Sequence, residues 1–481
     1  MEAKSTTDGS ASDVAPEQHD FDAGEDAADN EALDYSLSAM DRQYGKQTSV
    51  PRRIHVLGTG SIGKLVAHAL RGIADPPPIT LLLHKPSLMK AWENSPKGIT
   101  IRDDDTEIKR KGFDVELLPP TRRQHKTDLQ DGQPDLYEYE GAMKPHEVAR
   151  AIKEHGQPSA QSQYQKSETL EDGAAAEDDT IHNLLVTTKA SITVSALSSI
   201  RHRLAPTSTI CFLQNGKGVI DDVNEQLFPN EQDRPNYMQG IITHGVNVPP
   251  AIAEHNPFYA VHAGHGTIAL SLLPSTAAKK SLTDPMRDSE PDVHDTQSGL
   301  WAPSSRYLLR TLTRTPVLCA VGFTPTELLQ LQLEKLAVNS VLNPLTVLLD
   351  ARNGSILYNF PITRTMRLLL AETSLVIRSL PELQNIPNVA TRFSAQRLET
   401  LVVSVANTTR DNISSMLADV RAGRQTEVEY INGYIVKRGE EIGIKCVVNY
   451  AIMQTVIGKS AITQREVKGE YSSDPRDPNA G

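Results

Sequence analysis

Apolar and polar positions change rhythm along this chain in a way that marks out its parts. Up to about residue 50 the apolar residues are scattered among Asp, Glu, Ser and Ala without a period, the pattern of a disordered tail. From Arg53 the rhythm becomes strand-like. Ile54–Leu57 is a short apolar run and Ile79–Leu83 is another, while Leu65, Val66 and Leu70 recur between them at helical spacing. This β-α-β alternation predicts a parallel sheet with crossover helices. Further strands are predicted at Ile99–Ile101 and Phe113–Leu118, around the polar turn Asp103-Asp104-Asp105, and at Leu184–Thr188, Thr209–Leu213, Gly240–Thr243, Thr267–Leu272 and Val317–Ala320. A helix is predicted at Ser304–Leu312. Beyond Thr324 the strand signals cease, and helical spacing runs through Glu327–Asp350, Thr363–Leu380, Phe393–Arg410 and Glu427–Ile442. The expected fold class is α/β: an N-terminal domain on a Rossmann-type parallel sheet followed by an all-helical C-terminal domain.

Two polar stretches interrupt the pattern. Residues 119–178 and 274–299 are rich in small polar and charged residues and read as solvent-exposed insertions, the first with one short helix around His146–Lys153. The expected organisation is a tail over 1–50, the α/β domain over 51–322, the helical domain over 323–467, and a second tail over 468–481. Lys and Arg total 49 against 60 Asp and Glu, a net charge of −11. The first 50 residues hold twelve acids and three bases, so −9 of that charge sits in the tail and only −2 in the remaining 431 residues. A nearly neutral body disfavours a nucleic-acid partner, which needs a concentrated basic face. Cys211, Cys319 and Cys446 are too few for a disulfide framework and match no zinc spacing, so no metal site is expected. No apolar run approaches the roughly 18–20 residues needed to span a bilayer, so no membrane partner is expected. The N-terminus lacks an apolar signal core. The expected compartment is the cytoplasm, with an internal mitochondrial import signal left open.

The first chemical signal is Gly58-Thr59-Gly60-Ser61-Ile62-Gly63, a G-x-G-x-x-G set between a strand and a helix. The first glycine permits a tight turn, the second lets backbone N–H groups approach a pyrophosphate, and the third lets helix and strand pack closely. The end of the second strand selects the cofactor. An NAD site places an acid there for the ribose 2′-hydroxyl, whereas this strand ends Leu83-His84-Lys85, and a cation suits the 2′-phosphate of NADP(H).

The second signal lies on a helix. Lys335, Asn339 and Asn343 are spaced i, i+4, i+8 and share one face, while Leu336, Val338, Val341, Leu342 and Leu345 fill the other sides. A helix so apolar should be buried, and Pro344 should kink it beside the polar ladder. The ladder reads either as a stripe meeting solvent or another helix, or as a site in which a buried amine with a depressed pKa donates a proton.

These residues carry a resemblance. The run Lys335-Leu-Ala-Val-Asn-Ser-Val-Leu-Asn-Pro-Leu-Thr followed by Arg352-Asn353-Gly354 is similar to the core of the ketopantoate reductases (2-dehydropantoate 2-reductases). So are Asp411-Asn412-Ile413-Ser414-Ser415-Met416-Leu417-Ala418-Asp419-Val420-Arg421 and Thr426-Glu427-Val428-Glu429-Tyr430-Ile431-Asn432-Gly433-Tyr434, with Thr187-Thr188-Lys189, Leu213-Gln214-Asn215-Gly216 and Thr243-His244 agreeing in the first domain. The resemblance implies NADPH-dependent reduction of 2-dehydropantoate to (R)-pantoate, a step towards pantothenate and coenzyme A. A related reductase of another 2-keto acid and a non-catalytic binding protein stay open as alternatives. It implies Lys335 as general acid and Glu427 as the holder of the substrate hydroxyl. Asn339, Asn343, Asn353, Asn412 and Ser415 fall at polar positions of the substrate pocket. Gly58, Thr59, Gly60, Ser61, Ile62, Gly63, His84, Lys85, Lys189 and Asn215 fall on the cofactor side. Where the family often carries arginine for the 2′-phosphate, this chain has His84-Lys85. The acidic tail and the 119–178 insertion have no counterpart in compact members and resemble additions of fungal-like versions. The implied partner is a small 2-keto acid. A homodimer is compatible with the resemblance, although no pattern encodes the oligomeric state. The other histidines and Trp92 and Trp301 receive no role, except that His244, which follows a strand, is kept as a minor alternative for a place near the pocket.

Overall fold

The computed structural model describes residues 50–119, 179–274 except 254, 301–467 and 469. The expected tails, the bulk of both insertions and the helix around His146–Lys153 lie outside the described residues.

Four adjacent inner strands of the central sheet are short, predominantly apolar runs with every residue buried, which is what burial on both faces demands. Eight strands lie in the order β12-β11-β8-β7-β6-β1-β2-β5. Strands β1 (Ile54–Leu57), β2 (Ile79–Leu83), β5 (Phe113–Leu117), β6 (Asn183–Val186), β7 (Thr209–Phe212) and β8 (Asn236–Ile242) are mutually parallel. Strand β11 (Ile268–Leu272) returns antiparallel to β8, and β12 (Ala320–Gly322) closes the edge. The chain leaves β1 towards β2 on one side and reaches β6 on the other, so β1 and β6 flank the point where the strand order reverses. Ligands of open α/β sheets bind outside the strand ends at such a point. One face of the sheet packs Leu65, Val66 and Leu70 of helix α1 (Ser61–Leu70), and the other packs Ala190 and Leu197 of the helix that follows β6.

A smaller sheet corrects one expectation. The partner of β3 (Gly98–Asp103) across the Asp103–Thr106 turn is β4 (Thr106–Lys111), whereas Phe113–Leu117 joins the large sheet beside β2. Strand β4 reads Thr-Glu-Ile-Lys-Arg-Lys and is largely exposed, so it shows no apolar alternation. Strand β10 (Tyr259–Gly264) lies parallel to β3 and antiparallel to β9 (Gly245–Asn247). Lys64 of α1 fastens this sheet, donating to the carbonyls of Pro257 at 3.0 Å and Tyr259 at 2.9 Å. The strand expected at Val317–Ala320 is displaced to Ala320–Gly322, because Pro316 opens a 3-10 turn and Cys319 takes a φ of 42°.

After Thr324 the chain is helical. The longest helix, Pro325–Leu349, starts on a capping box in which Thr324 accepts from the Glu327 N–H and Glu327 accepts from the Thr324 N–H. It runs on through Pro344 and buries Leu333, Leu336, Val341, Leu342 and Leu345 against the helices Phe360–Ser379, Ala395–Thr408, Ser415–Arg421, Val428–Glu441 and Val447–Val467. A buried amide link holds it to two of them: Asn432 Nδ2 donates to Ser340 O at 2.9 Å and to Asn449 Oδ1 at 3.1 Å.

Candidate active site

The glycine turn leaves β1 with Gly58 at φ 105°, a conformation that L side chains rarely adopt, and a Cβ there would sit 2.8 Å from the Thr188 nitrogen. A Cβ on Gly63 would lie 1.9 Å from Gly58 O, so helix and turn are in direct contact at that point. Gly60 differs, since among the described residues nothing lies within 4 Å of its missing Cβ. It is also the N-cap of α1 and no side chain caps that end, so the first N–H groups of the helix are free to meet an anion. An open space above uncapped backbone donors fits a pyrophosphate. The register Leu57↔Leu82 brings the end of β2, with exposed His84 and Lys85, beside this turn.

Across the same ends of the parallel strands, a small pocket is lined by Gln214, Asn215, Ile241, Gln332, Lys335 and Asn339. Lys335 reaches over from the long helix and donates to the carbonyl of Ile242 at 2.7 Å. Burial lowers its ammonium from 10.5 to about 8, and the negative charge of Glu427 opposes that shift. Glu427 lies at the start of the helix Val428–Glu441. Its Oε1 accepts from the Ala190 N–H at 3.0 Å and its Oε2 from Asn215 Nδ2 at 3.4 Å. Burial pushes this carboxyl above its ordinary value, while Lys189 and the Ala190 N–H pull the other way. Lys189 forms an ion pair with buried Asp419 and so links the loop after β6 to the helical half. The loop after β7 is held by Tyr430. Lys217 N donates to Tyr430 O at 2.9 Å, and Gly216, at φ 83°, has Tyr430 O 2.7 Å from where its Cβ would stand. That contact sets Asn215 against Glu427.

The structure thus brings Lys335, Asn339, Asn215 and Glu427 into one neighbourhood. Asn343 lies one turn further along and is buried. Asn353 is directed elsewhere: its Nδ2 donates to Thr409 Oγ1 at 2.9 Å, and its backbone N–H to Asn412 O at 3.0 Å. Asn412 and Ser415 are exposed, and among the described residues no hydrogen bond ties them to Lys335, Glu427 or Asn215. Sequence reasoning missed three participants. Lys217 donates to Gln332 Oε1 at 2.7 Å, and burial lowers its ammonium to about 8. Gln332 stands three residues before Lys335 on the same face, a spacing that could have revealed it. Asp419 stands inside the run 411–421 that resembles the family, but neither the resemblance nor its spacing gave it a role.

Residues 327–460 match the family profile described as "Ketopantoate reductase PanE/ApbA C terminal", and residues 144–275 match "Ketopantoate reductase PanE/ApbA". A probable 2-dehydropantoate 2-reductase of Schizosaccharomyces pombe is 31% identical over 275 residues, covering 57% of this chain and 72% of that protein. A ketoisovalerate reductase of Gibberella fujikuroi is 26% identical over 447 residues, covering 85% of this chain and 84% of the relative. Among solved structures, a D-mandelate dehydrogenase with NADH and anilino(oxo)acetate shares the fold with a TM-score of 0.55 at 13% identity, over 85% of this chain and 99% of that one. Among the described residues no helix is long and apolar enough to cross a membrane. With its reversed-order sheet, helical half and C-terminal profile match, the chain belongs to the ketopantoate reductase family and is an oxidoreductase.

Proposed function

We propose that the protein reduces 2-dehydropantoate to (R)-pantoate with NADPH, in the route to pantothenate and coenzyme A. The observation that carries this reading is the desolvated amine of Lys335, set in a pocket with Asn215 and Asn339 beside buried Glu427. Gly58–Gly63 would hold the pyrophosphate of NADPH and His84 and Lys85 its 2′-phosphate, and the chemistry such a cofactor would supply is a hydride. The chain's own residues do the rest. An ammonium with a pKa of about 8 is mostly protonated at neutral pH yet releases its proton readily, which suits a donor to the oxygen of a ketone being reduced. Its positive charge also stabilises the developing alkoxide. The amide of Asn339, which lines the pocket, offers a neutral group for a carboxylate. The family resemblance extends that role to Asn343, one turn along the helix, and to exposed Ser415 and Asn412, while Asn353, engaged with Thr409, holds the Asn412 backbone. Glu427 accepts from the substrate's hydroxyl, and Lys189 and Asn215 order the cofactor side.

The ketoisovalerate reductase relative, which aligns over most of the chain, favours a second reading with 2-ketoisovalerate as substrate. The two keto acids differ by a hydroxymethyl group, so the discriminator is whether buried Glu427 serves a hydroxyl. A site built to bind a hydroxyl rejects an analogue lacking it by far more than a missing methylene would. The test compares kcat/KM for both keto acids in wild type and Glu427→Gln. We expect wild type to prefer 2-dehydropantoate at least about tenfold, and Glu427→Gln to lose about tenfold or more on that substrate alone. A wild-type preference for 2-ketoisovalerate establishes the second reading.

A further inference from the structure

We infer that Asp103, His262 and His265 form a binding site for a divalent cation of the zinc class, on the small sheet and sharing no residue with the Lys335 pocket. Asp103 ends β3, His262 stands opposite it in register on β10, and His265 follows in the loop after that strand. One donor atom from each lies within 4.8 Å of the others. Asp103 Oδ1 is 3.0 Å from His265 Nε2, and Asp103 Oδ2 is 3.7 Å from His262 Nδ1. Bonds of about 2.0–2.2 Å at tetrahedral angles hold donor atoms roughly 3.3–3.6 Å apart. The two distances run to different oxygens of the Asp103 carboxylate, each within a few tenths of an ångström of that spacing. Rotation of the partly exposed carboxylate and of exposed His265 would set one oxygen against both imidazoles and close the separations, which are within 4.8 Å.

The hydrogen-bond pattern singles out His262. The backbone N–H of Gly266 donates to His244 Nδ1 at 3.1 Å, so that nitrogen is an acceptor and the His244 proton sits on Nε2, donated to Leu318 O at 2.9 Å. His262 Nε2, 3.0 Å from the same His244 Nδ1, must then be a donor. Neutral His262 is left with its lone pair on Nδ1. That side chain is fully buried, and its Nδ1 has no hydrogen-bond partner among the described residues. Asp103 at 3.7 Å is too distant to be one. A buried lone pair facing a carboxylate is unfavourable by itself. A cation between the two groups turns both into ligands.

The relay from His262 through His244 to a backbone carbonyl is the outer support that fixes the tautomer and orientation of a ligating imidazole. Two imidazole nitrogens and one carboxylate oxygen suit Zn²⁺, Co²⁺ or Ni²⁺ better than Mg²⁺ or Ca²⁺, which take oxygen shells. Asp103 is 35% exposed and His265 65%, so water completes the coordination. Exposed Asp104 and Asp105 add negative charge next to the site. A bound ion ties β3 to the loop after β10. The absence of a zinc spacing among the cysteines has no bearing here, because the three ligands come from segments about 160 residues apart that meet only through strand pairing.

The test uses the full-length chain without an affinity tag, stripped with a chelator and titrated with Co²⁺ by visible absorption, then with Zn²⁺ by calorimetry. We expect one Co²⁺ per chain with d–d bands of low coordination number, displaced by Zn²⁺. His265→Ala and Asp103→Asn, both at accessible positions, should weaken binding at least about tenfold with unchanged circular dichroism and unchanged keto acid reduction. Cys319→Ser, next to the carbonyl that His244 engages, should bind as wild type does. Absence of saturable bands, equal affinity in the ligand variants, or loss in Cys319→Ser would each overturn the assignment.

Discussion

Replacing Lys335 by methionine should stabilise the protein while disabling it, and the stability difference should depend on pH in one direction. Burial holds the Lys335 ammonium at about 8 instead of 10.5. At about 1.4 kcal/mol per pKa unit this is a penalty on the order of 3 kcal/mol at neutral pH, where the unfolded chain keeps the proton far more firmly than the folded one. Methionine fills a similar volume without a charge to desolvate, and its loss of the hydrogen bond to Ile242 O gives back about 1–2 kcal/mol. The net expectation at pH 7 is a gain of about 1–2 kcal/mol together with a fall in kcat of roughly 10²–10⁴, the range for removal of a general acid. The sign with pH follows from linkage. Below pH 8 both states of wild type hold the proton and the penalty is full. Between about 8 and 10.5 the folded state has released it and the unfolded state has not, so wild-type stability rises with pH. The advantage of the methionine variant should therefore shrink by about 2 kcal/mol between pH 7 and pH 10. Urea unfolding of both proteins at the two pH values measures it, and Lys64 and Lys217, whose pKa values burial also lowers, cancel in the difference. A variant that loses more than about 1 kcal/mol at pH 7, or a difference that does not move with pH, refutes the claim that this amine is held desolvated.

Other expectations rest on separate parts of the site. Gly60→Val should abolish cofactor binding by fluorescence titration and leave the circular dichroism unchanged, since among the described residues nothing lies within 4 Å of its Cβ. Gly63→Ala should cost several kcal/mol of thermal stability, because its Cβ would lie 1.9 Å from Gly58 O; equal stability of these two variants would contradict the turn geometry. Lys85→Ala should erode the ratio of kcat/KM for NADPH over NADH by about tenfold, the effect of removing one exposed phosphate partner, and an unchanged ratio would move the 2′-phosphate elsewhere.

How much of this was legible in the chain depended on whether a residue announces its surroundings. The inner parallel strands and all but one of the long helices were, because burial on two faces or on a broad stripe leaves an apolar run or a helical period. Strand β4 was not, since an exposed edge strand carries charges that discourage further pairing and its Thr-Glu-Ile-Lys-Arg-Lys has no apolar face. The helix Val447–Val467 escaped for a related reason: its buried face alternates Met453 and Val456 with the polar Asn449 and Ser460, which breaks the stripe. In the site, the glycine turn and the Lys335 ladder could be read from spacing, while the implied role of Glu427 came through resemblance to a family. What neither route could supply is the environment that lowers the Lys335 pKa. The amine is held by the backbone carbonyl of Ile242, and Glu427 by the backbone N–H of Ala190. A main-chain carbonyl or N–H is present whatever the side chain, so no residue type at 242 or 190 marks the contact. The proton donor is thus encoded in its own identity and in the path of two strands that end beside it, and only the second half of that specification needs coordinates.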